Sequence, residues 1–424
     1  MASSFWNARP VPLWLNTPTG SEPALRDKSR AQPHRAGNLP SPAESPFIIE
    51  AFGFETAAEI GEQWADLISR SLEPNVFMEP GFALSAAQHL ARAERPIFVA
   101  VWERTKAGER ERLLALWALV MRRNLLGVHF ATLWCHKQSA LGLPLLDATR
   151  ATETIAAVFA WLADAFPRLR LVVFPKLVRS GPTFARILAH ALDIGLEWRL
   201  LDQYRRAVLL ANGTGLNLSK QGYQNLKRRR RQLERHGSVR LRSSRDPADI
   251  RNATEDFLAL EESGWKGRRR TALLCDSSRA AFARTMTRRL AREGKCRIDA
   301  LTLDGRPIAM GIVLRSRDRA FFWKIAHDEA FAAQSPGMQL ALETTQIQQS
   351  DETCRMTDSC TGAGNLMIER LWRDRLPMVD LALPLHPAAN ETLGGFAWRH
   401  ALRRRLFKWA GDRLRAARVR KAGS

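Results

Sequence analysis

The chain has 424 residues, of which 45% are hydrophobic and 25% are charged, the balance of a globular protein with room for two domains. Its 65 lysines and arginines outnumber its 43 acidic residues, and the formal charge of +22 attracts anions such as nucleic acid, an acidic membrane or a phosphate-bearing cofactor. Five cysteines without a CxxC pair argue against a disulfide framework and a zinc site, and they predict a reducing, cytoplasmic location.

No targeting or membrane-spanning segment is predicted. The first twenty residues lack the charged and apolar regions of a signal peptide. The longest apolar run, Leu113–Met121, is about half as long as a membrane span. Residues 1–45 are rich in Pro, Ser, Asn and Arg and poor in aliphatic residues, which predicts a disordered tail.

The rest of the chain shows one order of elements twice. In the first half, strand-like runs at Pro96–Arg104, Arg112–Arg122 and Val128–Cys135 precede a helix at Thr149–Phe166, a strand at Leu169–Phe174 and a helix from Pro182. In the second half, strands at Cys296–Gly305, Arg306–Arg317 and Arg319–Ala326 precede a helix at Pro336–Gln349, a strand at Arg355–Ser359, a helix at Leu366–Trp372 and a strand at Met378–Leu383.

This repetition predicts an α/β (α+β) fold with two tandem domains, each a mixed central sheet flanked by helices. Three further helices are predicted at Ser219–Gly237, Asp246–Trp265 and Ser277–Gly294. The predicted organisation is a tail (1–45), an N-terminal domain (46–212), a basic connecting helix (213–237), a C-terminal domain (238–390) and a basic amphipathic helix (391–424).

The segment after the Arg319–Ala326 strand carries a possible anion site. Ser335 is placed to cap the next helix, Pro336 suits its first turn, and Gly337 lets a ligand approach the backbone. A helix N-terminus offers unpaired N–H groups and the positive end of the peptide dipole, so it can hold a phosphate. The same three residues also simply start a helix, and the motif alone leaves both interpretations open.

Six further sequence blocks follow one another in a fixed order. They are EPNVFMEPGF (Glu73–Phe82), LGLPLLD (Leu141–Asp147), LKRRRRQLERHG (Leu226–Gly237), FLALEESGWKGRRRTAL (Phe257–Leu273), KIAHDEAFAAQSPG (Lys324–Gly337) and MIERLWRDR (Met367–Arg375). Together they resemble the GNAT acetyltransferases, specifically the type associated with cellulose biosynthesis (CelD/BcsL), which is related to the FemABX-like double-GNAT proteins. The resemblance covers residues 47–383.

The resemblance implies a transferase in which the second domain is catalytic. It implies an acyl-CoA co-substrate, first of all acetyl-CoA, no permanently bound cofactor, and an unidentified amine or sugar-derived acceptor linked to exopolysaccharide assembly. Backbone N–H groups at Ile325 and Ala326 would polarise the thioester carbonyl. The residues expected to cradle the pyrophosphate are Gln334, Ser335, Pro336, Gly337 and Met338.

The groups that transfer protons are less defined. Carboxylates near the expected cleft are Glu261, Glu262, Asp328, Glu329 and Asp358, and the catalytic candidates are Glu262, His327, Asp328 and Asp358. His327 stands where relatives often carry a tyrosine, and the chain has only Tyr204 and Tyr223. A lone histidine after a strand is also a common structural group.

The candidate substrate contacts are Trp265, Lys266 and Lys324. Trp265 and Lys266 belong to the basic stretch GWKGRRRTAL, which predicts a loop. This loop either contacts a sugar, pantetheine or anion, or ends a helix while its tryptophan fills the core. The Lys324 side chain is predicted either to neutralise an anion in the cleft or to face solvent, and the solvent-facing orientation is slightly favoured. Cys360 lacks a His–Asp set that would support a covalent mechanism.

The basic segments leave a second class of function open. Lys227–Arg231 is either a solvated helix face or an anion-binding surface, and Phe396–Lys421 docks on the protein or lies on an anionic membrane, with Leu402, Leu406 and Trp409 on one stripe. The alternatives to acyl transfer from acyl-CoA are a nucleic-acid-binding scaffold and a transferase that uses aminoacyl-tRNA. Nucleic acid is disfavoured as a partner, and the oligomeric state is not predicted.

Overall fold

The computed structural model describes residues 45–91, 94–213, 215–362 and 366–422. The tail predicted for residues 1–45 lies outside these ranges except for Ser45. The described strands are β1 (Phe47–Phe52), β2 (Ile97–Arg104), β3 (Arg110–Arg123), β4 (His129–Leu133), β5 (Leu145–Leu146), β6 (Leu169–Val178), β7 (Arg199–Leu210), β8 (Val239–Ser244), β9 (Cys296–Leu303), β10 (Arg306–Ser316), β11 (Arg319–His327), β12 (Met356–Asp358) and β13 (Asp374–Pro384).

The described α-helices are α1 (Phe54–Glu59), α2 (Gly61–Ser69), α3 (Pro80–Leu90), α4 (Ala151–Ala165), α5 (Pro182–Asp193), α6 (Lys220–Glu234), α7 (Pro247–Ser263), α8 (Trp265–Arg268), α9 (Ser277–Arg292), α10 (Pro336–Gln349), α11 (Leu366–Leu371) and α12 (Asn390–Ala422). Short 3₁₀ turns lie at Val76–Met78, Leu273–Cys275, Glu329–Gln334 and Pro387–Ala389.

The strands join into one sheet with the order β1-β2-β3-β4-β6-β13-β7-β12-β11-β10-β9-β8, and β5 pairs with β3. From either edge the sheet begins with four antiparallel strands, and the next strand is parallel to the fourth. The remaining pairs at the centre are antiparallel. The sheet therefore reads the same from both edges, as expected for a duplicated mixed α/β unit.

The two halves exchange their last strands at the centre of this sheet. Strand β13 of the second half pairs with β6 and β7 of the first half, and β7 pairs with β12 of the second half. Each half therefore completes the sheet of the other. This exchange decides which elements can support the functional site.

The mixed α/β fold and the two antiparallel meanders are confirmed, but several details differ. Strands β1, β7 and β8 were not predicted, and the segment Gly264–Leu273, expected to be a loop, contains the short helix α8. The break after β11, expected to be irregular, is a 3₁₀ turn at Glu329–Gln334. The predicted domain boundaries remain a prediction. Strand β13, which belongs to the predicted C-terminal domain, lies between strands β6 and β7 of the first half.

An aromatic cluster holds the halves together on one face of the sheet. Phe82 of α3 contacts Phe282 of α9 and Trp323 of β11, with ring centroids 5.2 and 6.2 Å apart. Phe77 contacts Phe321 of β11 at 5.4 Å. Because large aromatic side chains contribute much of the apolar area buried in a core, this contact fixes the start of β11 against the first half.

Truncating the exchanged strand is expected to weaken both halves. Leu381 of β13 is fully buried and lies between Phe174 of β6 and Leu200 of β7. Leu381→Ala should lower the free energy of unfolding by about 2–5 kcal/mol, as measured by urea denaturation. It should also accelerate amide exchange in β6, β7 and β12. The control is Leu314→Ala, which truncates an equally buried leucine of β10. Faster exchange confined to residues 239–384 in the Leu381 variant would contradict the proposed coupling.

Candidate active site

A gap opens in the sheet beside the second half of β11. Residues Arg319–Phe321 pair with β12, whereas β10 stays paired with β11 as far as His327. Beyond β12 the chain follows β7 instead, because the Ser359 N–H donates to the Ala207 carbonyl at 3.3 Å. Within the described residues, the second half of β11 thus has a strand partner on one side only. The backbone groups on its other side are left to contacts other than strand pairing.

A register shift opposite Ile312 and Val313 places a bulge at Trp323. Bulges re-aim side chains, and here the Lys324 Nζ lies 5.1 Å from the centroid of the neighbouring Trp323 ring. Trp323 itself faces the aromatic cluster. Lys324 is largely buried and interacts electrostatically with Glu261 of α7 and Arg279 of α9, whereas the sequence slightly favoured a solvent-facing side chain.

Helix α10 begins at the end of this gap, but Ser335 does not cap it in the expected way. Ser335 has a φ of 53° and a ψ of 53°, the left-handed conformation, and its side chain makes no capping hydrogen bond. Its hydroxyl instead accepts a hydrogen bond from Arg229 of the basic helix α6. A guanidinium therefore lies beside the helix N-terminus, and both groups favour an anion.

The remaining residues of the predicted pyrophosphate cradle surround this start. Pro336 and Gly337 are buried, and a Cβ on Gly337 would lie 3.2 Å from His327 Nδ1 and 3.7 Å from Met367 Sδ. A side chain at position 337 would therefore press against His327. Gln334 Oε1 is buried without a hydrogen-bond partner, and a half-turn of its amide would present an N–H donor instead. Met338 is half-buried.

A buried carboxylate closes the gap on the α7 side. Glu261 accepts hydrogen bonds from Lys266 Nζ at 2.8 Å and from the Leu273 N–H at 2.8 Å. Lys266 Nζ also donates to the Ile325 carbonyl at 2.9 Å. A small pocket of about 20 Å³ lies here, lined by Ile325, Ala326 and His327 among others. That volume holds about one water, so acyl-group entry requires Lys266 to move.

Glu262, the carboxylate predicted to be catalytic, is exposed on α7, and the buried Glu261 lines the pocket instead. The buried residues of α7 recur at helical spacing and end with Glu261: Ile250, Ala253, Thr254, Phe257, Leu258 and Glu261. This periodicity is present in the sequence and favours Glu261 over its neighbour.

Helix α8 is tied to the segment that follows β11. Glu329 accepts from the Trp265 N–H at 2.6 Å and pairs with Arg268. Trp265 is 44% exposed, with the Arg269 guanidinium 5.2 Å from its ring centroid. The alternative in which this tryptophan fills the core is therefore wrong. A flat, exposed ring remains at the mouth of the gap.

Two titratable groups line the gap. Burial lowers the pKa of Lys324 to about 8, an effect that Glu261 partly opposes. Burial also lowers the pKa of His327, with opposition from Glu329. The desolvated ammonium is disfavoured relative to the neutral amine. Lys324 can therefore both lose and regain a proton near neutral pH.

The other two catalytic candidates make structural contacts. Asp358 forms a fully buried ion pair with Arg206 of β7 at 3.0 Å and accepts from the Cys360 N–H at 2.8 Å. Asp328 caps the following 3₁₀ turn through the Ala330 N–H at 2.9 Å and pairs with Arg306. Cys360 is a poor nucleophile because burial raises the pKa of its thiol well above 9.

The corresponding gap in the first half is filled. The loop after β4 packs so tightly on β6 that a Cβ on Gly142 would lie 2.3 Å from the Pro175 carbonyl oxygen. Lys176 Nζ donates to the Ser139 carbonyl at 2.6 Å. Before α4, Asp147 accepts from the Thr149 N–H and pairs with Arg70, so a carboxylate of the chain itself lies near that helix start. Within the described residues, the second half retains a gap and the first half does not.

Further features limit the class of site. Among the described residues no cluster of His, Cys, Asp or Glu could hold a metal ion. None of the helices in the described part of the chain combines the length and apolar character needed to span a bilayer. The site is thus a strand gap next to a helix start, with a guanidinium, a desolvated amine and a histidine around it.

Comparison with known proteins assigns this region to a class. Residues 220–365 match the family model described as an acetyltransferase (GNAT) domain. No curated protein matches the chain. The second half therefore carries a GNAT acetyltransferase domain, and the protein is an acyltransferase.

Several solved structures are similar to this chain at low identity. A conserved protein of unknown function from Bacteroides thetaiotaomicron has a TM-score of 0.50 and 9% identity, with 76% of this chain and 97% of that chain covered. FemX has a TM-score of 0.47 and 8% identity, covering 76% and 95%. A tandem GNAT protein from the clavulanic acid biosynthesis pathway has a TM-score of 0.39 and 13% identity, covering 80% and 99%.

The unusual environment of Lys324 can be tested by competitive labelling with acetic anhydride across pH. Its labelling midpoint should fall near pH 8, and Glu261→Gln should move it lower, because Glu261 stabilises the ammonium. Exposed Lys106 provides the reactivity reference. Lys324→Met should raise the free energy of unfolding below about pH 8, and the gain should shrink as the pH rises toward 10.5, where the unfolded lysine also becomes neutral. A midpoint unaffected by Glu261→Gln would contradict this assignment.

Proposed function

We propose that the protein is an acyl-CoA-dependent N-acyltransferase whose donor occupies the gap beside β11. The observation that carries the proposal is Arg229 bound to Ser335 at the start of α10, directly after the strand that lacks a second partner. A pyrophosphate is a doubly anionic group that a helix N-terminus and a guanidinium both bind. Acetyl-CoA is the first donor to test.

The geometry supports a direct transfer. The Ile325 carbonyl faces the gap, so the Ile325 N–H would be the backbone group that polarises the thioester carbonyl. The Ala326 N–H, also predicted for this role, faces Met310 of β10. The acceptor amine attacks that carbonyl carbon, a C–N bond forms, the C–S bond breaks, and coenzyme A leaves as a thiolate. The attacking nitrogen loses a proton to the neutral amine of Lys324, and the thiolate takes up a proton. Because burial lowers the pKa of His327, the predicted role of this residue would be to relay a proton from solvent to the thiolate rather than to supply one as a cation.

The acceptor is proposed only by class. The resemblance to proteins associated with cellulose biosynthesis favours an amine or sugar derivative used in exopolysaccharide assembly. The exposed Trp265 ring at the mouth of the gap suits a sugar face. Trp265 and Lys266 are accordingly proposed acceptor contacts.

Two other donors or partners deserve a test because of the +22 charge. An aminoacyl-tRNA donor, as the FemABX-like resemblance allows, would use the exposed cations of α6, such as Lys227 and Arg228. A nucleic-acid scaffold would use the same surface without catalysis. Both require RNA or DNA affinity that falls steeply with salt, and both would leave acetyl-CoA unbound.

Removing the guanidinium beside α10 should weaken donor binding selectively. Arg229→Gln should raise the Kd for acetyl-CoA about tenfold or more, since a hydrogen bond to a charged group contributes about 1.5–3 kcal/mol. Binding of S-acetylpantetheine, which lacks the pyrophosphate, should not change. The control is Arg228→Gln, the exposed neighbour on the same helix. Isothermal titration measures all three, and equal losses for both variants, or no acetyl-CoA binding by the unaltered protein, would overturn the proposal.

The role of Lys324 predicts a pH profile. With a pKa of about 8, the neutral base increases as the pH rises through that value, so kcat should rise and then level off above pH 8. Lys324→Met should lower kcat about 10²-fold or more and remove that rise. Lys324→Arg separates the roles, because arginine keeps the charge but cannot accept the proton. A Lys324→Arg variant with full kcat would show that Lys324 binds an acidic acceptor instead.

A further inference from the structure

Helix α12 has two apolar faces, of which the sheet covers one. Leu393 and Phe396 are buried, and Phe396 contacts Phe130 of β4 with ring centroids 5.1 Å apart. One face of the helix is thereby docked on the protein, which is one of the two alternatives predicted for this segment. Further along the same face, Arg404 donates to the Leu201 carbonyl and pairs with Asp202 of β7.

The opposite face carries three large apolar side chains in a row. Trp398, Leu402 and Leu406 are 65%, 41% and 57% exposed. At about 100° per residue they lie roughly 140°, 180° and 220° around the helix from Leu393. They therefore point away from the sheet. Exposed apolar residues that occur singly need no explanation, but a row at i, i+4 and i+8 forms a continuous stripe.

Cations flank this stripe. Arg399 and Arg405 are exposed on either side of it. Beside Thr392, at the start of α12, the exposed Arg168 and Arg170 line an open groove together with Leu126 of the β3–β4 turn. In the part of the chain that the structure describes, these four arginines make no ion pair. The surface thus combines apolar side chains with uncompensated positive charge.

We propose that the outer face of α12, defined by Trp398, Leu402 and Leu406 with Arg399 and Arg405, docks on an anionic lipid bilayer. A helix lying in the membrane interface buries an apolar face while flanking arginines contact lipid phosphates. Tryptophan favours this boundary because its ring is apolar and its N–H is polar. The fully exposed Leu125 and its neighbour Leu126 at the β3–β4 turn extend the apolar surface near the start of α12.

The charge pattern favours a lipid surface over the other occupants. Two copies of the chain that paired their stripes would bring the same arginines close together, which is unfavourable. A nucleic acid would satisfy the arginines but would leave three large apolar side chains in a row without a matching surface. An anionic bilayer satisfies both components at once.

Vesicle sedimentation with the full chain tests the proposal. The protein should sediment with vesicles of phosphatidylcholine and phosphatidylglycerol, and much less with phosphatidylcholine alone. Trp398→Gln combined with Leu402→Gln should weaken binding at least about tenfold, because both side chains lose their apolar contact with lipid. Arg399→Gln combined with Arg405→Gln should weaken binding to the anionic vesicles and flatten its salt dependence.

The matched control is Leu192→Gln on α5, which removes an equally apolar and 70% exposed side chain elsewhere. Circular dichroism checks that each variant is folded, and acetyl-CoA titration checks that the distant donor gap is unchanged. Equal binding to both vesicle types, or unchanged binding of the Trp398/Leu402 variant, would overturn the proposal. The proposal would also be overturned if light scattering showed a dimer that the Trp398/Leu402 variant dissociates. RNA binding that this variant loses would overturn it too, because either result identifies a different occupant of this face.

Discussion

The reciprocal exchange of β7 and β13 is the constraint on which the rest of the structure depends. Strand β12 is only three residues long, and it pairs with β7 of the first half on one side and with β11 on the other. So short a strand needs a long neighbour to hold it. The gap beside β11 consequently has one wall from each half. A GNAT domain that begins near residue 220 is structurally incomplete without the strand that precedes it.

A buried ion pair marks the point where the sheet opens. Arg206 of β7 donates to the Ala140 carbonyl at 2.9 Å and pairs with Asp358 at the end of β12. Removing one partner of such a pair leaves an unpaired buried charge, which usually costs about 3–5 kcal/mol. The pair therefore anchors the end of β12 to β7 and directs the chain away from β11. Asp358 supports the site without facing it.

The sequence predicts the repeated meanders well because their strands are continuous apolar runs with clear turns between them. Strand β7 is harder to recognise, because a central strand that contains Arg205 and Arg206 becomes plausible only once Asp358, distant in sequence, is known to lie beside it. Arg229 and Ser335 are 106 residues apart, so no local pattern could join them. Glu261, in contrast, could have been chosen over Glu262 from the periodicity of α7 alone.

The filled gap of the first half explains why a symmetric sheet carries one candidate site. In that half the Gly142 backbone lies against Pro175, and Asp147, paired with Arg70, occupies the segment before α4. In the second half, Arg229 lies beside the start of α10. The Ile325 carbonyl accepts a hydrogen bond from the Lys266 side chain. A flexible lysine can leave, whereas a packed backbone cannot. Of the two equivalent places in the described sheet, the one in the second half is closed by a movable side chain, and it is the one proposed to admit the donor.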